Sequence, residues 1–146
     1  MNQYWKLLTT AFVILLMAVS LTSCDFDKKD GDWDPMKWAR TDYRETVVDR
    51  ISYYDVPASG GTFTFRCTNY NSFWLAGTSV KDEKGKTEHL YHEEGDYNNI
   101  TNSLISERVE GDKLTVTFPA TDGVTRRFIV VVTAGDIFHT FRFKQS

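Results

Sequence analysis

The sequence predicts an all-β protein whose folded part is a β-sandwich, and three observations support this. From residue 45 onward, short segments alternate between apolar and polar residues, with the period of two that is typical of half-buried strands. Turn signals that contain glycine separate these segments about every eight to twelve residues, as in sandwich folds. Beyond the N-terminal segment, no stretch has the period of a helix. Two sheets that pack with their apolar faces together would bury the apolar side chains of these segments.

The first clear strand is predicted over residues 62–67. It places Phe63, Phe65 and Cys67 on one face and polar side chains on the other. Residues 113–118 alternate in the same way and predict a second strand. Cys67 is therefore expected to be a small core residue rather than a reactive thiol.

Two further strands are predicted near the C-terminus. Residues 127–133 are apolar on both faces, which favours a central strand, and residues 138–144 alternate again. Between these segments lies the turn signal Ala134-Gly135-Asp136, which predicts a β-hairpin.

The N-terminus has the organisation of a secretory signal. Lys6 is its only charged side chain, and an apolar run follows over residues 11–19. This run is shorter than the roughly 18–20 residues that a membrane-spanning helix needs. Residues 1–23 are therefore predicted to be a helical signal peptide that is cleaved.

The residues directly before Cys24 are Leu21-Thr22-Ser23. This pattern resembles the lipobox of bacterial lipoproteins, in which the signal is cut before the cysteine and fatty acids such as palmitate are attached. The resemblance implies that Cys24 is the first residue of the mature protein and attaches it to a lipid bilayer. Several acyl chains are enough for stable anchoring. The alternative is an ordinary secretory signal with a chance cysteine.

The composition of the mature chain limits its partners. Without residues 1–23, 123 of the 146 residues remain, and they include 16 of the 17 basic and all 20 acidic side chains. This mild acidity argues against nucleic acid or an anionic membrane surface as a partner. With Cys24 acylated, Cys67 is the only thiol, so stability must come from packing rather than from a disulfide within the chain.

Residues 24–44 are predicted to be a tether, and the sandwich is predicted over residues 45–146. The first part of the tether, residues 25–32, is polar and acidic, so we expect it to be solvated and flexible. Trp33 and Trp38 follow. Large aromatic side chains are costly to leave in water, so we expect both to pack on the domain.

The aspartates of the tether allow two interpretations. Their density resembles that of a calcium site, but the ligand order of an EF-hand is absent. An acidic stretch directly after a lipidated cysteine instead resembles the surface-export signals of lipoproteins in Bacteroidetes-type bacteria. We therefore expect the domain to be anchored in the outer membrane and to face the cell exterior.

Several short motifs of the predicted sandwich resemble the BACON family (Bacteroidetes-associated carbohydrate-binding often N-terminal domains). Gly60-Gly61 precedes alternating β residues, an Asn-rich turn leads to Trp74, and an arginine-led apolar strand begins at Arg126. The resemblance implies an immunoglobulin-like sandwich that binds carbohydrate or mucin, or that acts as a spacer beside a catalytic domain. The segment from residue 79 to 106 is longer and more polar than the same part of that family.

Sandwiches that bind glycans usually use exposed aromatic rings, on which the apolar face of a sugar stacks. Trp74 is expected in the core, because it lies inside a strand. The long polar segment offers the rings with the best chance of exposure. The candidate glycan-binding residues are Trp33, Trp38, Tyr70, Tyr91 and Tyr97.

His89 and His92 are the candidates for metal ligation. Their spacing would suit a helix, but in a strand or loop the two side chains point to opposite faces, and no third ligand is well placed. We therefore predict a solvated loop, with no metal site and no cofactor. Nucleophile-elbow, phosphate-loop and zinc-protease motifs are absent from the sequence, so no catalytic residues and no enzymatic activity are predicted.

Two functional hypotheses remain open. In the first, the domain binds a glycan or surface polymer through its exposed aromatic residues. In the second, it is an accessory subunit that pairs with another envelope protein and binds no carbohydrate. The second predicts an exposed apolar patch or an unpaired edge strand.

Overall fold

Residues 33–146, the part of the chain that the computed structural model describes, form ten β-strands and no helix. The all-β prediction is confirmed, and two sheets pack face to face as a β-sandwich. The predicted signal peptide, Cys24 and the acidic part of the tether lie outside the described residues. Within residues 33–146, no helix is long and apolar enough to cross a membrane.

One sheet has six strands. In spatial order these are β1 (Glu45–Val48), β2 (Ile51–Val56), β10 (Ile137–Gln145), β9 (Arg126–Ala134), β4 (Trp74–Asp82) and β5 (Thr87–Leu90). β2 and β10 run parallel, and the other neighbours are antiparallel. Strands from both ends of the chain therefore meet in this sheet.

The second sheet has four antiparallel strands. In spatial order these are β3 (Gly61–Arg66), β8 (Lys113–Phe118), β7 (Ser106–Glu110) and β6 (Asn99–Thr101). β3 and β6 form the edges of this sheet, and both have one unpaired side within it.

The predictions for individual strands are confirmed at several places. β8 spans the predicted residues 113–118, and β9 lies between β10 and β4 in the middle of its sheet. β9 and β10 form the predicted hairpin, in which Ala134 pairs with Ile137. Cys67 is buried in the core. Alternation predicts these features correctly because one face of each strand packs on the opposite sheet.

Aromatic rings from both sheets meet in the core. Phe65 of β3 lies against Phe141 of β10, with ring centroids 4.4 Å apart, and Phe118 of β8 lies 5.0 Å from Phe128 of β9. All four side chains are almost completely buried. Burial of one such side chain contributes about 1.5–3 kcal/mol. These contacts hold the sheets together and determine which face of each strand meets solvent.

The polypeptide before β1 also contributes to the core. Met36 is buried, and Trp38 forms an isolated antiparallel bridge to Cys67 beyond the end of β3. The Trp38 ring lies 4.8 Å from the Phe141 ring and 5.3 Å from the Phe73 ring. This segment therefore closes one end of the sandwich.

The compact unit begins at Trp33, whereas the sequence analysis places the start of the sandwich at residue 45. Trp38 packs on the domain as expected, but Trp33 is exposed. A segment without alternation gives no strand signal, so its attachment becomes visible only when the core that it covers is known.

The prediction that Trp74 lies in the core is wrong. Trp74 is the first residue of β4 and is exposed, whereas its neighbours Phe73 and Leu75 are buried. Three large apolar residues in a row have no period, so the sequence does not show which one points inward. Leu75 fills the core position, and the pleat of the strand turns Trp74 outward.

Glu107 of β7 is an acidic residue buried between the two sheets. Its carboxyl oxygens both lie 2.8 Å from the hydroxyl of Thr78 on β4, which donates the hydrogen bond. The pair links the four-stranded sheet to the six-stranded one with a polar contact inside an apolar core.

Candidate functional site

The two sheets present different outer faces to solvent. In the described part of the chain, no strand of the four-stranded sheet carries an exposed large apolar side chain, and its outward residues are mainly threonine or charged. The six-stranded sheet and its adjoining loop present Trp74, Tyr91, Tyr97, Ile129 and Phe138. Exposed apolar side chains that cluster on one face mark binding surfaces. The outer face of the six-stranded sheet is therefore the candidate site.

One end of this face carries the aromatic row, which we define as Trp74 of β4, Thr133 of β9 and Phe138 of β10. The three residues lie side by side, because Thr133 is the register partner of both aromatic residues. With neighbouring strands about 4.8 Å apart, the Cα atoms of Trp74 and Phe138 are about 10 Å apart. Trp74 is 40% exposed and Phe138 62%, while Thr133 is only 5% exposed. Two accessible aromatic side chains thus flank a covered threonine.

A shallow depression lies on the outer face over β9, β4 and β5. Gly77 lies here, and a Cβ added to it would meet no atom within 4 Å. A β-bulge between Leu75 and Gly77 shifts the register of β4 at this point. The hollow has a volume of about 370 Å³ and is bordered by Val131, His89 and Tyr91. A ligand lying on the sheet can therefore approach its backbone closely.

Two of the predicted aromatic residues adjoin this hollow. Tyr91 borders it and is 81% exposed. His92 also lines the hollow, and its ring lies 4.5 Å from that of Tyr97. The carbonyl oxygen of Tyr97 accepts a hydrogen bond of 2.9 Å from the backbone N–H of Leu75, which places Tyr97 beside the start of β4. The structure thus brings Tyr91 and Tyr97 to the same side of the molecule as Trp74.

The other end of the face carries the basic row, which we define as Lys81 of β4, Arg127 of β9, and Arg142 and Lys144 of β10. Arg127 is the register partner of both Lys81 and Lys144. The guanidinium of Arg127 lies over the ring of Tyr53, 5.6 Å from its centroid. Cations from three neighbouring strands are therefore grouped on the outer face of an acidic protein.

The remaining predicted aromatic residues lie near the end of the sandwich where the N-terminal segment attaches. Trp33 is exposed and lies outside the strands. The Trp38 ring is engaged with core rings, and its Nε1 is buried without a hydrogen-bond partner in the described residues. The Tyr70 hydroxyl donates a hydrogen bond of 2.6 Å to the carbonyl oxygen of Asp34. Trp38 and Tyr70 therefore serve mainly to fasten the segment before β1.

The two histidines do not form part of a metal centre within residues 33–146. No group of three or more His, Cys, Asp or Glu side chains in that range is arranged to hold an ion. His89 lies on the edge strand β5, and His92 lies in the loop after it, with Nδ1 3.1 Å from the carbonyl oxygen of Glu93.

A second hollow, of about 330 Å³, opens beside the turn between β4 and β5. Charged side chains of both signs line it, and several are already engaged. Asp82 accepts hydrogen bonds from the backbone N–H groups of Lys84 and Lys86, and Arg126 forms an ion pair of 2.9 Å with Asp122. The hollow is therefore a less suitable ligand site than the outer face.

Sequence reasoning missed Trp74 and Phe138, the two aromatic residues of the aromatic row. Phe138 lies outward on β10, opposite in phase to the buried Phe141 and Phe143. The sequence did contain a signal for Phe138. In a predicted strand, an aromatic residue that is out of phase with the buried side chains points to the outer face. For Trp74 no such signal exists, because both its neighbours are also apolar.

Comparison with known proteins places the chain in a family. No family model matches the chain, and no curated protein matches it significantly. An NMR structure of a protein from Bacteroides thetaiotaomicron is 32% identical, with a TM-score of 0.58, and the match covers 85% of this chain and 97% of that one. The chain belongs to the family of this Bacteroides protein.

What the chain shares with this Bacteroides protein is a fold and a related sequence. Nearly the whole of the NMR structure is matched, so the relationship extends over the domain rather than over a single motif. A shared fold does not identify a ligand, because binding sites are built from particular side chains. The function of this member of the Bacteroides family is therefore argued from its outer face.

Proposed function

We propose that this protein is an outer-membrane lipoprotein whose BACON-like, immunoglobulin-like domain faces the cell exterior. In this proposal the domain binds a glycan or another surface polymer and catalyses no reaction. The observation that carries the binding proposal is the aromatic row, in which Trp74 on β4 and Phe138 on β10 are exposed on either side of Thr133 on β9.

The physical argument rests on the cost of exposed rings and on their geometry. Large aromatic side chains left in water forgo a stabilisation of about 1.5–3 kcal/mol each. They recover it when an apolar surface, such as the face of a sugar ring, covers them. Trp74 and Phe138 stand on rigid strands, so little conformational entropy is lost when a ligand binds. The open backbone at Gly77 leaves room for the ligand to continue along the sheet.

The anchoring part of the proposal rests on the sequence before the domain. Leu21-Thr22-Ser23 directly precedes Cys24, and an acidic stretch follows. The similarity to a protein from Bacteroides thetaiotaomicron supports only the bacterial group in this part of the proposal. Attachment through acyl chains would leave the sandwich free to present its outer face to a polymer.

Alanine substitution of Trp74 and of Phe138 tests the binding proposal. The full chain is measured against a broad panel of immobilised plant and mucin polysaccharides. Removal of an aromatic residue at the centre of an interface costs about 2 kcal/mol or more, so we expect at least about a 30-fold loss of affinity. Val47→Ala on the edge strand β1 is the matched control, because Val47 is also an exposed apolar residue.

Two results would contradict glycan binding at this face. One is the absence of binding to every polysaccharide of the panel. The other is binding that survives both Trp74→Ala and Phe138→Ala, as well as replacement of Tyr91 and Tyr97. Thermal unfolding of each variant shows whether the fold is retained.

A second candidate function is pairing with another envelope protein. β1 and β5 form the two edges of the six-stranded sheet, and each has an unpaired side in the described structure. Such edges can accept a strand from a partner. Co-purification of one stoichiometric protein after gentle detergent extraction, combined with a flat polysaccharide panel, would favour this candidate over the first.

A further inference from the structure

We propose that the polymer bound at the outer face is an anionic polysaccharide whose carboxylate or sulfate groups are held by the basic row. This inference rests on the proposed function and adds the chemical class of the ligand. The basic row consists of Lys81, Arg127, Arg142 and Lys144, as defined above.

The cations of the basic row have no acidic partner within the described residues. None of the four forms an ion pair there. The acid next to Lys144 is Asp55 on β2, whose carboxylate is already bound by Arg44 at 3.3 Å and by the Thr46 hydroxyl at 2.8 Å. Elsewhere in the domain, ion pairs with carboxylates occupy Arg44, Arg66, Arg108 and Arg126. The basic row therefore keeps its charge available for a ligand.

Arg127 is held in place for such a ligand. Its guanidinium lies over Tyr53, a ring that is itself buried on the outer face. The contact with Tyr53 restricts the guanidinium and holds it on the outer face, on the β10 side of β9 and beside the strand that carries Lys144. A planar guanidinium binds carboxylate and sulfate with two parallel hydrogen bonds, and the lysines of the basic row add point charges. A hollow of about 430 Å³ opens beside Lys81 and Arg127, and Lys84 and the acidic residues Asp82 and Glu83 also line it.

The distance between the two rows indicates a polymer rather than a single sugar. On β9, Thr133 belongs to the aromatic row and Arg127 to the basic row, and a strand rises about 3.4 Å per residue. The rows are therefore about 20 Å apart. Ile129 and Val131 fill the space between them with apolar surface. A chain of several sugars can stack on the aromatic row and place its acidic groups on the basic row at the same time.

Matched pairs of charged and neutral polymers test this inference on the full chain in detergent. The pairs are polygalacturonate with its methyl ester, and dextran sulfate with dextran. We expect the charged polymer of at least one pair to bind about tenfold more tightly, with an advantage that falls as salt is added. The variant Lys81→Gln/Lys144→Gln should lose about tenfold in affinity for that polymer.

The control variant is Arg108→Gln/Lys113→Gln, which removes the same charge from the outer face of the four-stranded sheet. It should leave affinity unchanged.

Equal binding of charged and neutral polymers, with loss of binding in Trp74→Ala, would overturn the anionic ligand but keep the proposed function. Loss in Lys81→Gln/Lys144→Gln without loss in Trp74→Ala would support the basic row and overturn the aromatic site. Binding to no polymer, or only to vesicles of phosphatidylglycerol, would overturn both.

Discussion

Glu107 shows how one residue couples the stability of this domain to pH. The residue is 1% exposed and lies between its register partners Ile100 on β6 and Val116 on β8. Thr78, which lies between Leu90 and Val130 on the opposite sheet, supplies the one hydrogen bond. Burial raises the pKa of Glu107 from its ordinary value of 4.5 to about 7, although the Thr78 hydroxyl partly offsets this.

The stability of the protein should therefore fall as the pH rises from about 4.5 to 7. In this window the folded state keeps the Glu107 proton and the unfolded state has lost it. Because the folded state binds more protons, the free energy of unfolding decreases with pH, in total by on the order of 3 kcal/mol. Glu107→Gln should remove this decrease, as measured by urea unfolding at pH 4.5, 6 and 8.

Glu110→Gln is the control for this prediction, because Glu110 lies on the same strand with its side chain half exposed. His139 acts in the opposite direction, since burial and then Arg142 lower its pKa, but it does so equally in all three chains. Equal pH slopes for the Glu107→Gln variant and the unsubstituted chain would contradict the raised pKa.

Gly60 is a second residue whose identity the fold requires. Its φ is +83°, and a Cβ at this position would lie 2.3 Å from the carbonyl oxygen of Phe118. Gly60→Ala should lower the free energy of unfolding by about 3 kcal/mol or more, from backbone strain and a clash with rigid backbone. Gly123→Ala is the matched control, because φ is +90° there but no atom lies within 4 Å. Equal losses of unfolding free energy in the two variants, measured with urea, would show that backbone strain alone explains the effect of Gly60→Ala.

At the scale of elements, the free edge of β3 is covered by the segment before β1. At the last residue of this strand, the Ala39 N–H donates to the carbonyl oxygen of Arg66 at 2.9 Å. Further along, the Tyr43 hydroxyl accepts a hydrogen bond from the Thr64 N–H at 2.9 Å and lies 3.3 Å from the Thr64 carbonyl oxygen. A side chain thus takes the place of a neighbouring strand, which limits pairing with a second copy of the chain.

Tyr43→Phe should expose this edge. The loss of the hydroxyl leaves the Thr64 backbone groups without their partner, so we expect a loss of about 1 kcal/mol in stability. We also expect self-association at high concentration, measured by sedimentation velocity. Tyr91→Phe is the control, since Tyr91 is largely exposed. A monomeric Tyr43→Phe variant would contradict the protective role.

Four of the ten strands in residues 33–146 were predicted with their bounds from the sequence. β3, β8, β9 and β10 were predicted to within one residue at each end, because each alternates or ends at a glycine turn. The other six strands were given no bounds, and two of them, β1 and β6, have only four and three residues, too few to show the period.

At the scale of the whole molecule, the segment before β1 is part of the folded unit. Met36→Ala should cost about 2–5 kcal/mol, because Met36 is buried in the core cluster. Lys37→Ala, at the exposed neighbouring position, should change stability by less than about 0.5 kcal/mol. Chemical unfolding of both variants checks this. Equally small losses of stability in both variants would mean that the segment before β1 is not part of the folded core.

Protease treatment of intact cells tests the proposed location. If the domain faces the exterior, protease should cut between residues 25 and 32 without lysis and release a fragment that begins near Trp33. Mass spectrometry identifies the fragment, and an intact periplasmic protein serves as the control for leakage. Protection until the cells are lysed would contradict surface exposure and favour a role in envelope assembly.

The sequence by itself determined the all-β class, most of the longer strands and the hairpin at Gly135, because alternation and glycine turns are local properties of the chain. Only the tertiary structure decided that Trp74 faces solvent and that Lys81, Arg127 and Lys144 form one row. The formal net charge of −3 gives no sign of that row. Its members are far apart in the chain, and they become neighbours because packing of the two sheets sets which strands pair and which face of each points outward.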